Sequence, residues 1–248
     1  MKFEFGLFLL MLCIVFLSMT GCSHIQKKLL FFPTHRPHNN SLTPWSLDGQ
    51  IIGYSRQVDS PENVWLMLHG NGGQAADRLY AIPCFSERDS VFILEYPGYG
   101  EREGVPSKNA FNEAAKQAFL VLRNSYPATP VCVVAESIGS GPALSLAALE
   151  IKPEKYVLIV PFDILSSVAE DHFPAILVWL ILQDNWNNIE ALAQYDGPVD
   201  IYGAQADDII SVDHAKVLAA SYADSNMVII PGGHNDWSYE GKVTIRNP

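Results

Sequence analysis

Positive charge is scarce in this chain of 248 residues: 16 Lys and Arg stand against 27 Asp and Glu, a formal charge of −11. Nucleic acids are held by clustered Lys and Arg that displace counterions from phosphates, so this balance argues against a nucleic-acid partner. The same sign disfavours anionic substrates. Cysteine is sparse, with four in all. Cys13 and Cys22 fall in the N-terminal region, and Cys84 and Cys132 belong to different elements, so no disulfide between them is expected. No repeat or low-complexity segment is present. The glycine-rich stretch Gly70–Gly73 is not followed by Lys-Ser or Lys-Thr, and no G-x-G-x-x-G occurs, which sets aside the two common nucleotide fingerprints. His35 and His38 flank Arg36-Pro37 with no third ligand nearby in sequence, so no metal centre is expected there.

What is abundant is apolar sequence, 48% of the chain. That length and content suffice for one large α/β core without a second domain. Apolar runs near 51–58, 64–69, 91–96, 131–136, 156–161, 199–203 and 227–231 read as strands. Helices are expected over 74–86, 108–126, 141–151 and 212–223, with the turn-rich stretch 127–130 ending the second. Such alternation implies a doubly wound, mostly parallel sheet covered on both faces.

Three strand ends carry chemistry. The run Val131–Glu136 stops at Ser137, and Ile138, Gly139, Ser140 and Gly141 follow. Strand, abrupt turn and helix presenting a serine between small residues match the nucleophile elbow G-x-S-x-G, with Ala135 at the first glycine position. A buried or helix-capping serine is the plain alternative. A second run, Val64–Leu68, ends in His69-Gly70-Asn71-Gly72-Gly73. Acyl transfer needs two N–H donors aimed at the developing oxyanion; the backbone N–H groups of Ile138 and Asn71 are the candidates. Further on, the run Val199–Ala204 precedes Asp207 and Asp208, and the last run precedes His234. Ser, Asp, His is the chain order of one family of catalytic triads. In that arrangement the histidine takes the serine proton while the aspartate orients and stabilises it. His214, near a helix start, and His69, in its loop, suit structural roles better than the base role. His172 stands in a segment that can approach substrate.

With these residues the chain resembles the α/β-hydrolase superfamily, and in particular its small membrane-anchored serine hydrolases. The resemblance runs over roughly residues 28 to 240. It rests on Lys28–Pro33, His69-Gly70-Asn71-Gly72, Glu95-Tyr96-Pro97-Gly98-Tyr99-Gly100, Ala135–Gly139 and the Asp207 and His234 segments. Ala135 and Ser211 depart from the usual Gly and Pro. The resemblance implies an α/β-hydrolase fold with Ser137, Asp207 and His234 as triad. The acid in relatives stands four residues before a proline, which selects Asp207 over Asp208, with Ser211 at the proline position. It further implies hydrolysis of a small, acylated ester or thioester through an acyl-enzyme, with no metal or organic cofactor, by a monomer. A weakly catalytic binding protein on the same scaffold and a serine peptidase are the competing readings. The tyrosines of the 95–100 loop are expected to line the site mouth.

Residues 162–196 interrupt the alternation. The stretch 173–182 is strongly apolar yet shorter than the ~20 residues that cross a bilayer. It reads either as a small cap over the site or as a helix packed on the core, with Phe173, Trp179 and Trp186 as candidate pocket walls. At the N-terminus, Leu7–Met19 is almost wholly apolar and is followed by Thr20-Gly21-Cys22-Ser23. A short hydrophobic segment before small residues is a secretory signal, and its end resembles a bacterial lipobox. Residues 1–21 are then the signal peptide, and 22–248 the hydrolase domain lipidated at Cys22. Ser23 favours the outer membrane of a Gram-negative envelope. The alternative is an uncleaved anchor, for which Lys27 and Lys28 imply a cytoplasmic domain.

Overall fold

The computed structural model describes residues 26–245. The leader and Cys22 lie outside the described residues. Eight strands build one sheet: β1 (Thr43–Leu47), β2 (Gln50–Arg56), β3 (Val64–Leu68), β4 (Ser90–Leu94), β5 (Val131–Glu136), β6 (Tyr156–Ile159), β7 (Val199–Ala204) and β8 (Ser225–Ile230). Their spatial order is β1-β2-β4-β3-β5-β6-β7-β8. Strand β2 is antiparallel to both neighbours, and the pairings from β4 to β8 are parallel. Strands β3 to β6 are buried along their length, as parallel strands covered on both faces must be. Successive residues serve opposite cores: Leu66 and Leu68 face one, Trp65 and Met67 the other.

Helix α1 (Lys108–Ser125) covers the first core. Ser107 caps it by accepting from the Ala110 N–H at 3.2 Å, and Phe111, Ala114, Ala115, Ala118, Phe119 and Leu122 form its buried stripe. Pro127 follows one residue after its C-cap, Tyr126, and stops it. Beyond the sheet centre come α2 (Ser140–Leu144), α3 (Leu165–His172), α4 (Ala175–Ile181), α5 (Asn188–Leu192) and α6 (Val212–Ala220). The excursion between β6 and β7 thus contains three short helices. Only Val178 of α4 is buried. Among the described residues no helix is long and apolar enough to cross a membrane.

Several elements differ from the sequence reading. Strand β1 was absent from it because an edge strand carries a weak pattern: of its five residues only Trp45 is buried, and Pro44 is tolerated there because a sheet edge has an unpaired side. The signal that would have found it is Asp48-Gly49, a two-residue hairpin turn with both residues at positive φ. The helix expected over 74–86 is a 3-10 segment, Ala75–Cys84, kinked at Arg78 and containing Pro83, which lacks the N–H a regular α-helix needs. The helix expected over 141–151 is α2 followed by a 3-10 turn, Ser145–Ala148, and the chain is extended at Leu149.

Candidate active site

Three strand ends on the carboxyl edge of the sheet meet at one point. Ser137 follows β5 at once and has φ +54°. That conformation strains any residue with a Cβ, and the surrounding packing must impose it. Gly139 shows how tight the packing is: a Cβ there would lie 2.3 Å from the Leu68 carbonyl oxygen of β3. At Gly141 a Cβ would meet the Trp186 ring at 2.6 Å. Both glycines are therefore required by close approach. Ala135 adds its methyl to the core beneath the turn with no surface exposed.

The Ser137 hydroxyl lies 2.9 Å from His234 Nε2. His234 Nδ1 lies 2.7 Å from Asp207 Oδ2. The other oxygen, Asp207 Oδ1, accepts from the N–H groups of Ile209 and Ile210 at 2.9 and 2.8 Å, which fixes the carboxylate. Asp208 is exposed. Ser211 accepts from the Asp213 N–H as the N-cap of α6. Ile138 stands in the first turn after the strand, where N–H groups have no intrahelical partner. Asn71 and Ile138 border one cavity together with Ser137. The Asn71 side chain is held from behind: Nδ2 donates to the Leu30 carbonyl at 2.6 Å, and Oδ1 accepts from the Tyr99 hydroxyl at 3.0 Å.

No family model matches the chain. The uncharacterized protein Rv2307c of Mycobacterium tuberculosis is 28% identical over 228 residues, covering 85% of this chain and 81% of that protein. The lysophosphatidylserine lipase ABHD12 of Macaca fascicularis is 25% identical over 223 residues, 79% of this chain and 55% of the lipase. The Pyrococcus furiosus esterase Pf2001 superposes with a TM-score of 0.62, at 11% identity, over 83% of this chain and 91% of the esterase. The chain has the α/β-hydrolase fold.

In this α/β-hydrolase fold the strand-end serine opens into a cavity of about 480 Å³. Ser137 and His234 are polar members of its lining, while Ile138, Phe162, Leu165 and Leu182 are apolar ones. Of the expected wall residues Phe173 is present, Trp186 is buried against Gly141, and Trp179 is 76% exposed away from the cavity. His172 borders the cavity, its Nε2 2.9 Å from the Ile209 carbonyl. The tyrosines of the 95–100 loop do not line the mouth. Both are fully buried, and the Tyr96 hydroxyl donates to the His69 carbonyl at 2.9 Å. They support the glycine-rich turn, as does His69, whose Nδ1 lies 2.7 Å from the Gly70 carbonyl.

A charged cluster lies under that turn and is not among the sequence expectations. Glu136, immediately before Ser137, accepts from the Gly70 N–H at 3.0 Å and from Trp237 Nε1 at 3.1 Å. Burial opposes its charge, but the neighbouring Arg78 guanidinium and these N–H groups outweigh that and hold it below the usual carboxylate range. Arg78 also donates to the Gly70 and Gly72 carbonyls. The turn after β3 and the elbow after β5 are thereby fastened to each other. An acidic residue closing an apolar central strand is the only local hint of this role.

His214 has two carboxylate neighbours: Asp163 Oδ1 is 2.7 Å from Nδ1, and Asp171 Oδ2 is 2.8 Å from Nε2. These contacts join α6 to the loop after β6 and to α3. Cys84 and Cys132 are free and buried, and burial pushes their thiols up to about 11 and about 12. Among the described residues, no group of three or more His, Cys, Asp or Glu is arranged to hold a metal ion.

Proposed function

We propose that this protein is a membrane-tethered serine hydrolase that cleaves carboxylic esters or thioesters through an acyl-enzyme. One observation carries the reading: an unbroken hydrogen-bonded line runs from Asp207 through His234 to Ser137, with Ser137 on a strained turn at the cavity floor.

In the proposed reaction His234 Nε2 removes the Ser137 proton as Oγ attacks the carbonyl carbon. The carbonyl oxygen becomes an oxyanion, received by the N–H groups of Ile138 and Asn71. Asp207, fixed by two backbone donors, keeps the proton on His234 Nδ1 and stabilises the imidazolium. Collapse of the intermediate breaks the bond to the alcohol or thiol, which leaves with the proton from His234 Nε2. Water then attacks the acyl-serine with His234 as base, releasing the acid and restoring Ser137. The Glu136 carboxylate, which accepts from the Gly70 N–H, acts as a brace: it holds the turn after β3 against the elbow after β5 and touches no reacting atom. The apolar wall suits an acyl group better than a charged one. The tether is assigned to residues 1–22, with lipidation of Cys22 after removal of the signal peptide, on the periplasmic side of a bacterial outer membrane.

Exposure of the full-length protein to a fluorophosphonate, followed by mass spectrometry, tests the chemistry. Modification at Ser137 alone is expected. An unmodified Ser137 in folded protein overturns the proposal.

A further inference from the structure

The first described residues enter the domain beside an exposed apolar surface. Gln26 is fastened to the excursion between β6 and β7: its Nε2 donates to Asp184 Oδ2 at 2.8 Å, and its Oε1 accepts from the Asp184 N–H at 2.8 Å. Leu29, three residues on, is 61% exposed. Around it α4 presents Ile176, Leu177, Trp179 and Leu180 to solvent, and Phe173 stands at its start, all of them exposed. The sequence of α4 carries no charge over Ala175–Ile181 in a protein of formal charge −11. A second cavity of about 330 Å³ lies between α4 and residues 26–30, walled by Leu177, Val178 and Ile181. Leu29, Leu30, Phe173 and Leu182 border both this cavity and the one above Ser137.

We propose that this face, formed by Leu29, Phe173 and the exposed side of α4, docks on a lipid bilayer and opens the Ser137 cavity towards it. The proposal rests on the tether reading above but not on the hydrolytic one. Three features select lipid as the occupant. Only six residues separate the apolar run Leu7–Met19 from Gln26. Fully extended they reach at most about 22 Å, so a membrane holding that run, or a lipid on Cys22, is close to this face. Lys27 and Lys28 adjoin Leu29, which sets cationic groups at the depth of lipid headgroups. Trp179 stands out at 76% exposure, and an amphipathic indole is favoured at the boundary between water and hydrocarbon. A soluble protein with no partner gains nothing from exposing such a patch. With the face seated on the bilayer, an acyl chain reaches Ser137 through the second cavity without crossing water.

Trp179 supplies its own readout, because Trp45, Trp65, Trp186 and Trp237 are all buried. Full-length protein is reconstituted into phosphatidylcholine–phosphatidylglycerol vesicles with brominated acyl chains, and its emission is compared with that of Trp179→Phe. The part of the signal due to Trp179 is expected to be mostly lost to the brominated chains and shielded from aqueous acrylamide. Quenching by acrylamide with no effect of bromine overturns the proposal. Resistance to both quenchers also overturns it, since a second copy or the chain's own apolar run would then cover the face. Failure to sediment with vesicles overturns the docking and the tether together; sedimentation with an acrylamide-quenched Trp179 overturns the docking alone. Fluorophosphonate labelling, run in parallel, reports the hydrolase reading independently. In a second test, Ile176→Ser, Trp179→Ser and Leu180→Ser are combined; none of the three borders either cavity. Hydrolysis of a long-chain ester held in vesicles is expected to fall several-fold, while a soluble short-chain ester is turned over unchanged. Where the wild type turns over both esters, an equal loss on both, or on neither, counts against the proposal.

Discussion

His234 and His214 each hold an aspartate 2.7 Å from Nδ1, and both are nearly buried. They differ at the opposite nitrogen. His234 Nε2 meets the Ser137 hydroxyl at a cavity floor, whereas His214 Nε2 meets a second carboxylate, Asp171. A hydroxyl can give up its proton to the ring, and a carboxylate cannot. At His214, burial disfavours the charge, but hydrogen bonds to Asp171 and Asp163 outweigh it and raise the pKa above that of an ordinary imidazole. The raised pKa favours the protonated ring, which works as a clamp between α3, α6 and the loop after β6. The same residue type beside the same partner thus suits proton transfer in one place and fastening in the other, according to what faces Nε2.

Removing the hydroxyl breaks the comparison most sharply. Ser137→Ala is expected to lower ester turnover by about 10⁶-fold, the scale seen when a triad loses its nucleophile, while circular dichroism and thermal melting stay near wild type. Asp207→Asn leaves the ring in place but favours the wrong tautomer and should cost about 10⁴-fold in kcat; Asp208→Asn, at an exposed neighbour, should leave steady-state rates close to wild type. Equal losses in the two asparagine variants would remove Asp207 from its assigned role.

At the second histidine the expected effect is on stability. His214→Gln should lower the melting temperature by about 2–4 °C, corresponding to roughly 1 kcal/mol, with little change in turnover of a soluble ester. The pH dependence has a definite sign. Folding raises this pKa, so the contribution is complete below the unfolded value of about 6.5 and is lost as pH rises through the folded one. The melting difference between wild type and variant should therefore be largest in mild acid and shrink in alkali. The smallest effect belongs to Asp171→Asn, which leaves His214 with one carboxylate, as at His234. Its imidazole pKa should move down when followed by NMR titration; no movement would show that Asp171 contributes nothing to the clamp.

Much of the frame was legible because its signals are local. Seven strands declared themselves as apolar runs, most plainly β3 to β6, since a parallel strand covered on both faces must be apolar throughout. The sharp turn at Ser137 was visible in Gly139 and Gly141, where a side chain would strike Leu68 or Trp186. Asp207 and His234 could be singled out in the sequence because each follows a strand closely enough to sit at the same sheet edge, where both meet beside Ser137. Polar and irregular elements were harder to see: the half-exposed strand β1, and the 3-10 segment around Pro83.

By itself, the sequence determined the sheet, the order of its strand ends and which residues stand at them, because backbone preference and burial are written in neighbouring residues. Only the tertiary structure decided what those residues meet. The hydrogen bonds of Glu136 with Gly70 and Trp237, and the two carboxylates around His214, join groups far apart in the chain. Their energies come from desolvation and close contact, which exist only once the chain has closed around them.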